Sequence, residues 1–246
     1  MAKKYNRTQL NPDASFERHI YHRDQFAHYL RWTHILKKIK PNLKANVLDF
    51  GCGTSGNLAE VLYRNRHKAN KYLGLDIRSL DTAKDKFAKV PWVEFKEYDL
   101  VETKIDEGTD WDVITSFEVL EHIGKENADK FLQNIVNNMN AKTKLYLSTP
   151  NYDEKVGAAQ NHIIDGEVCE FEYEELKAIL EKYFNIEQVF GTFASQKDYK
   201  ELMTEQDQKV FDKLREYYDS NLVSVIMAPL MPASAARNCM WVLTLK

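Results

Sequence analysis

Short apolar runs alternate with helix-period segments from residue 46 to the end of the chain. The runs at 46–50, 71–76, 92–98, 111–116 and 144–148 have strand length and are nearly continuous in apolar residues. That is the pattern of strands covered on both faces. Amphipathic stretches at 55–66, 79–89 and 126–140 predict helices between most of them. A helix at about 172–183, a strand near 185–190, a helical pattern at 204–218 and a closing strand from Cys239 to Leu245 complete the series. Ahead of the first strand, a helical pattern runs from about Ser15 to Ile39 and presents Phe16, Ile20, Phe26, Tyr29, Leu30, Trp32, Ile35, Leu36 and Ile39 as one stripe. Pro41 ends it, because the residue before a proline disfavours helical backbone. Residues 1–14 are polar and read as an extended arm. The chain therefore divides into an N-terminal arm and helix, 1–40, and a main domain, 41–246, with a helical insertion at about 191–238 around Pro229 and Pro232. Strands alternating with helices predict an α/β fold, a doubly wound and mostly parallel sheet of seven strands.

The first strand carries the most specific local chemistry. Val47-Leu48-Asp49-Phe50 ends in the turn Gly51-Cys52-Gly53-Thr54-Ser55-Gly56, and a helix pattern begins at once. Glycines there let backbone approach a bound ligand closely, since no Cβ intervenes. A phosphate loop would need Gly-Lys-Ser/Thr, which is absent. An acidic residue two positions before Gly51 disfavours phosphate and suits an amine-bearing or cationic ligand. S-adenosylmethionine carries both an amine and a sulfonium. The second run ends in Asp76, which could accept hydrogen bonds from two ribose hydroxyls. The third ends in Asp99, placed to receive an adenine amino group. The fourth leads into Phe117-Glu118. Ligands of such sheets bind at the carboxyl ends of the strands, near the switch in strand order, and these acidic residues all fall at those ends.

In this order and spacing the set resembles the class I S-adenosylmethionine-dependent methyltransferases, over roughly residues 44–190 and the closing strand. The resemblance implies that Gly51, Cys52 and Gly53 lie under the methionine part of the cofactor, with Asp49 near its amine. It places Asp76 and Ile77 at the ribose, Asp99 and Leu100 beside the adenine, and Phe117 against the bound cofactor. It makes the closing strand antiparallel. A helix before the first strand often covers the cofactor in such proteins. Arg31 would then pair with the methionine carboxylate, and His28 would face the substrate.

Composition limits the substrate and the compartment. Lys and Arg number 34 against 37 Asp and Glu, a net charge of −3 over 246 residues, so no global basic field favours nucleic acid. Local basic clusters at Lys3-Lys4 with Arg7, Lys37-Lys38 with Lys40, and Arg64 to Lys68 read as solvated surface. The 3 cysteines, Cys52, Cys169 and Cys239, are too few and too widely spaced for a disulfide framework or a cysteine zinc site. No signal peptide opens the chain and no apolar run reaches membrane-spanning length, so the expectation is a soluble, cytoplasmic protein.

The reaction is read from Glu118-Val119-Leu120-Glu121-His122. On a helix, Glu118, Glu121 and His122 would share one face, and His162 follows on a later loop. Two carboxylates and two imidazoles suit a divalent ion such as Mg²⁺, Mn²⁺ or Zn²⁺, which could clamp vicinal ribose hydroxyls. With Ser148-Thr149-Pro150-Asn151 and the later Glu170-Phe171-Glu172, this resembles the small-RNA 3′-terminal ribose methyltransferases. The same run also resembles small-molecule O- and N-methyltransferases, in which Glu118, His122 or His162 would hold the loop or act as general base without metal. No cysteine lies near the fourth strand for covalent cytosine chemistry. The expectation is in-line methyl transfer to O or N of a small-molecule or nucleotide-like acceptor. A metal-dependent ribose 2′-O-methyltransferase of RNA ends and a non-catalytic binding subunit are the alternatives. The lid over the pocket is expected from 152–170 and 191–238, where Tyr152, Phe171, Phe193, Tyr217 and Tyr218 could shape an acceptor site.

Overall fold

The structure, a computed structural model, describes residues 23–39, 44–65, 69–194 and 199–246. The expected N-terminal arm, the first part of the N-terminal helix with Phe16 and Ile20, and the basic residues Lys3, Lys4, Arg7, Lys40 and Arg66–Lys68 lie outside the described residues.

Helix α1 (Arg23–Ile39) precedes strand β1 (Asn46–Phe50), helix α2 (Asn57–Arg64), β2 (Lys71–Asp76), α3 (Asp81–Phe87), β3 (Val93–Glu97) and β4 (Val113–Phe117). Then come α4 (Ala128–Val136), β5 (Lys144–Pro150), the short hairpin β6 (Ile163–Ile164) and β7 (Glu167–Val168), and α5 (Tyr173–Leu180). The chain ends with β8 (Phe184–Ala194), α6 (Glu205–Arg215), α7 (Ser220–Met227) and β9 (Ala236–Leu245). The main sheet has 7 strands in the order β3-β2-β1-β4-β5-β9-β8. Strands β1 to β5 pair in parallel, and β9 runs antiparallel between β5 and β8.

Each face of the sheet carries its own core. Leu58, Ala59 and Leu62 of α2, Ala83 and Phe87 of α3, and Trp32, Ile35 and Ile39 of α1 bury one face. Phe131, Leu132 and Ile135 of α4 with Leu176 and Leu180 of α5 bury the other. Double coverage is why β1 and β4 are buried at every position and carry so little alternation. Strand order reverses between β1 and β4. Their carboxyl ends therefore splay apart into a crevice, and the loops after them line it.

Two segments differ from the sequence reading. β8 continues through Gly191 to Ala194, so the insertion proper starts later. The proline-containing stretch also holds α7, opened by Asp219, whose side chain accepts from the Asn221 amide. α7 packs on α1 and β8. No helix among the described residues is long and apolar enough to cross a membrane.

Candidate active site

The crevice is built from the ends of β1, β2 and β4. Asp49 is buried, its Oδ2 accepting from the Tyr72 hydroxyl at 2.7 Å and its Oδ1 from Thr115 Oγ1 at 2.8 Å. Burial pushes its pKa up to about 6, against the pull of those two hydrogen bonds. Gly51 and Gly53 adopt φ of +84° and +73°. A Cβ on Gly51 would lie 2.2 Å from Val119 Cγ2, whereas one on Gly53 would meet nothing nearer than Arg78 Nη2 at 3.7 Å. The loop is thus pinned to the β4 side at Gly51 and open to a ligand at Gly53. The Cys52 thiol is buried, and burial with the charges of Asp49 and Asp76 raises its pKa well above the usual range, so it is no nucleophile.

Asp76 ties the next strand to this loop, its Oδ2 accepting from the Gly53 amide at 2.9 Å. The Arg78 side chain grips both its oxygens, from Nε at 2.9 Å and Nη2 at 3.0 Å. Asp99 uses Oδ1 to accept from the amides of Val101 and Glu102, each at 3.0 Å, in an Asx turn. Ile77 is half-buried beside Asp76, Leu100 lies in the core, and Phe117 is buried at the end of β4.

Glu118 departs from the sequence reading. It is not on a helix: its φ is +58°, a left-handed turn rare for a residue with a Cβ. Its carboxylate is taken by other partners and is not one of the clustered ligand atoms of Glu121, His122 and His162. Oε1 accepts from Ser148 Oγ at 2.8 Å and lies 3.3 Å from Arg31 Nη1, while Oε2 accepts from Asn238 Nδ2 at 2.8 Å. Burial raises the Glu118 pKa, but Arg31 and its other partners outweigh this and hold the carboxyl below its ordinary value. Arg31 is itself buried and within reach of the His28 ring, at 3.1 Å from Nδ1. Burial, with Arg31 adding to it, lowers the His28 pKa to about 3.

Glu121, His122 and His162 do come together, with one ligand atom from each lying within 4.8 Å of the others. The 3₁₀ turn Leu120–His122 brings the first two, and the loop turn Gln160–His162 brings the third. Each is held from behind. Glu121 is fully buried, its Oε2 accepting from Thr149 Oγ1 at 2.9 Å while Oε1 has no partner among the described residues. Burial and the nearby Glu118 raise its pKa well above the ordinary value. Burial, with the His162 charge, lowers the His122 pKa to about 4, against a smaller upward pull from Glu118 and the Asn161 backbone. His162 Nδ1 lies 2.6 Å from Glu170 Oε1, which leaves Nε2 for the cluster. Glu170 is fully buried and also bound by Arg237 Nη2, at 2.7 Å from Oε2. A buried orphan carboxylate oxygen beside two imidazoles, all backed by outer hydrogen bonds, is a donor set that fits a divalent ion.

A family model described as a methyltransferase domain matches residues 21–210. The chain belongs to that family. It is a class I S-adenosylmethionine-dependent methyltransferase. Solved structures share the fold at low identity. The methyltransferase domain of a bacterial Hen1 is 19% identical at a TM-score of 0.56, covering 89% of this chain and 100% of that one. TehB of Haemophilus influenzae is 14% identical at 0.56, covering 87% and 62%. A phosphoethanolamine N-methyltransferase 2 of Haemonchus contortus, in complex with phosphomonomethylethanolamine and S-adenosylhomocysteine, is 16% identical at 0.55, covering 89% and 52%. No curated protein matches this methyltransferase in sequence.

Some expected aromatics of the acceptor side are elsewhere. Phe171 is in the core, and Tyr217 and Tyr218 face solvent. Phe193 is buried with Ala27 and Val225 between α1 and α7. Sequence reasoning missed Tyr72, Thr115 and Asn238, which act across strands and carry no local motif, and Arg78, which grips Asp76 two residues before it.

Proposed function

We propose that this methyltransferase transfers the methyl group of S-adenosylmethionine to a hydroxyl of a nucleotide-like acceptor held by a divalent ion. The acceptor it fits best is the 2′-hydroxyl of a 3′-terminal ribose in RNA. The observation that carries this reading is the unpartnered, buried Glu121 Oε1 beside His122 and His162. An ion bound by those three residues supplies positive charge to hold vicinal hydroxyls and ease the loss of a proton.

The chain's own residues supply the rest. Thr149 orients Glu121 and Glu170 fixes the His162 tautomer, so that these side chains offer ligand atoms close to that of His122. In the same reading Asp49 receives the cofactor's amine, Gly51 to Gly53 pass beneath its methionine, Asp76 takes the ribose, and Asp99 and Leu100 flank the adenine. Alignment of the nucleophile with the methyl and sulfonium is then the main requirement of the transfer.

A second reading is favoured by Glu118, whose carboxylate is committed to Arg31, Ser148 and Asn238. That leaves one carboxylate, not two, in the cluster. Small-molecule O- or N-methylation would then run without metal, with neutral His122 as the general base.

Tritiated S-adenosylmethionine, Mn²⁺ and an RNA with either an intact or a periodate-oxidised 3′ end separate the two. The ribose reading expects label only on the intact end, lost with chelator and in Glu121→Ala. Absence of a calorimetric heat for Mn²⁺ in the wild type, or transfer that survives Glu121→Ala, overturns it.

A further inference from the structure

Asp76 is saturated before any cofactor arrives. A carboxylate offers about four lone-pair sites, and all are taken. Oδ1 accepts from the Arg78 backbone amide at 3.0 Å and from Arg78 Nε at 2.9 Å. Oδ2 accepts from the Gly53 amide at 2.9 Å and from Arg78 Nη2 at 3.0 Å. The two backbone donors belong to the loops and stay with them. The two guanidinium donors occupy the positions that a pair of ribose hydroxyls would need. The same Nη2 is also the nearest atom to the space above Gly53, so the guanidinium stands over the part of the glycine loop that is open to a ligand. Its charge reaches His122 across the crevice.

We propose that Arg78 is a latch on the ribose site: its forked grip on Asp76 must open before the cofactor's ribose hydroxyls can be received, and it sets the affinity for the cofactor by competition. This rests on the assignment of Asp76 to the ribose. Arg78 is a positioning residue, acting through Asp76. Arg78 is part-exposed, at 28%, while Asp76 is nearly buried, at 5%, so the guanidinium has solvent to swing into and the carboxylate does not. The contact is charge-assisted and bidentate, which makes it worth breaking only for a ligand that returns two hydrogen bonds to the same oxygens. A ribose with both hydroxyls does so; a deoxyribose returns one.

Calorimetric titration of the full chain with S-adenosylhomocysteine tests this, comparing wild type, Arg78→Ala, Arg78→Gln and Asp76→Ala, with far-ultraviolet dichroism to show that each folds. The latch expects Arg78→Ala and Arg78→Gln to bind about 3- to 10-fold more tightly than wild type. It also expects added salt to weaken binding less in the wild type than in Arg78→Ala, because screening eases the Arg78–Asp76 pair as well as weakening the cofactor's own charged contacts. Equal or weaker binding in both Arg78 variants, with Asp76→Ala impaired, overturns the latch and leaves the ribose assignment standing. Unimpaired binding in Asp76→Ala overturns the ribose assignment itself.

Discussion

At the scale of single residues, the site is governed by carboxylates whose surroundings pull them apart. Asp49 is the clearest case. Its pKa, pushed from 3.8 to about 6 by burial, makes the protonated form the comfortable one in the fold. Stability from this group is full below the unfolded value and is lost as pH rises through the folded one, by about 3 kcal/mol in total. Cofactor binding has the opposite sign, because only the carboxylate attracts the amine. S-adenosylhomocysteine affinity is therefore expected to fall as pH drops from 7 to 5 while thermal stability rises from this group, and Asp49→Asn should flatten both profiles. Calorimetry and melting curves across that range check it; a wild-type affinity independent of pH would remove Asp49 from the amine site. The strand-end placement of Asp49, Asp76 and Asp99 was legible in the sequence because each falls at or near the end of an apolar run. Arg78 was not, and Glu170 stood out only as part of a motif, since the contacts of both depend on which oxygens and nitrogens meet in the fold. The partners of Glu118 were not legible: the helix-face argument fails once the backbone turns left-handed there.

At the scale of elements, the parallel strands β1 to β5 could be read to within a residue or two, whereas β8 and β9 run several residues beyond their expected bounds and the loops could not be read. β1 spans 46–50 as its apolar run does, because a strand buried on both faces leaves no freedom in where its polar ends fall. α7 escaped notice because Pro229 and Pro232 follow it closely, although Asp219 before an apolar stretch is an N-cap signal. The β6–β7 hairpin is only two residues long on each side, too short for periodicity to register. The contact that joins the two walls of the crevice lies between elements: Gly51, after β1, faces Val119, after β4. Gly51→Ala is expected to cost about 1–3 kcal/mol in backbone strain, plus the displacement of Val119 from 2.2 Å. Gly157→Ala is the control, with φ +73° and nothing within 4 Å of a new Cβ. A larger loss of melting temperature in Gly51→Ala than in Gly157→Ala, with weakened S-adenosylhomocysteine binding, measures the contact. Equal losses would mean that Val119 yields freely and the walls are not coupled there.

At the scale of the whole molecule, the crevice is closed by a layer that lies outside the alternating strand–helix pattern: α1 before β1, and α7 from the insertion before β9. Phe193 and Val225 pack with Ala27 between them, and Gly191 lets the Ala228 carbonyl approach β8, since a Cβ there would meet it at 2.8 Å. The layer is joined to the sheet by charge as well as by packing. Arg31 of α1 reaches Glu118 at 3.3 Å and Asn238 of β9 at 3.3 Å. Truncating one partner of a buried pair leaves the other charge without compensation, at a cost of about 3–5 kcal/mol. Arg31→Met keeps most of the volume and removes the charge, so it isolates that cost. Where the cost appears depends on cooperativity. Trp32, Ile35 and Ile39 anchor the later turns of α1 in the core of the sheet. The part expected to open as its own unit, below the free energy of global unfolding, is therefore the Ala27–Arg31 end of α1 with α7. It is held by this ion pair and the small Ala27, Phe193 and Val225 contact. Hydrogen exchange in Arg31→Met should therefore accelerate at that end of α1 and in α7 and leave the central amides of β1 and β4 near wild-type protection. Arg31→Met with Glu118→Gln should recover much of the loss, because no bare carboxylate remains. Uniform acceleration across the sheet would show instead that this end of α1 and α7 belong to one cooperative unit with the core, and that the crevice cannot open without unfolding the protein.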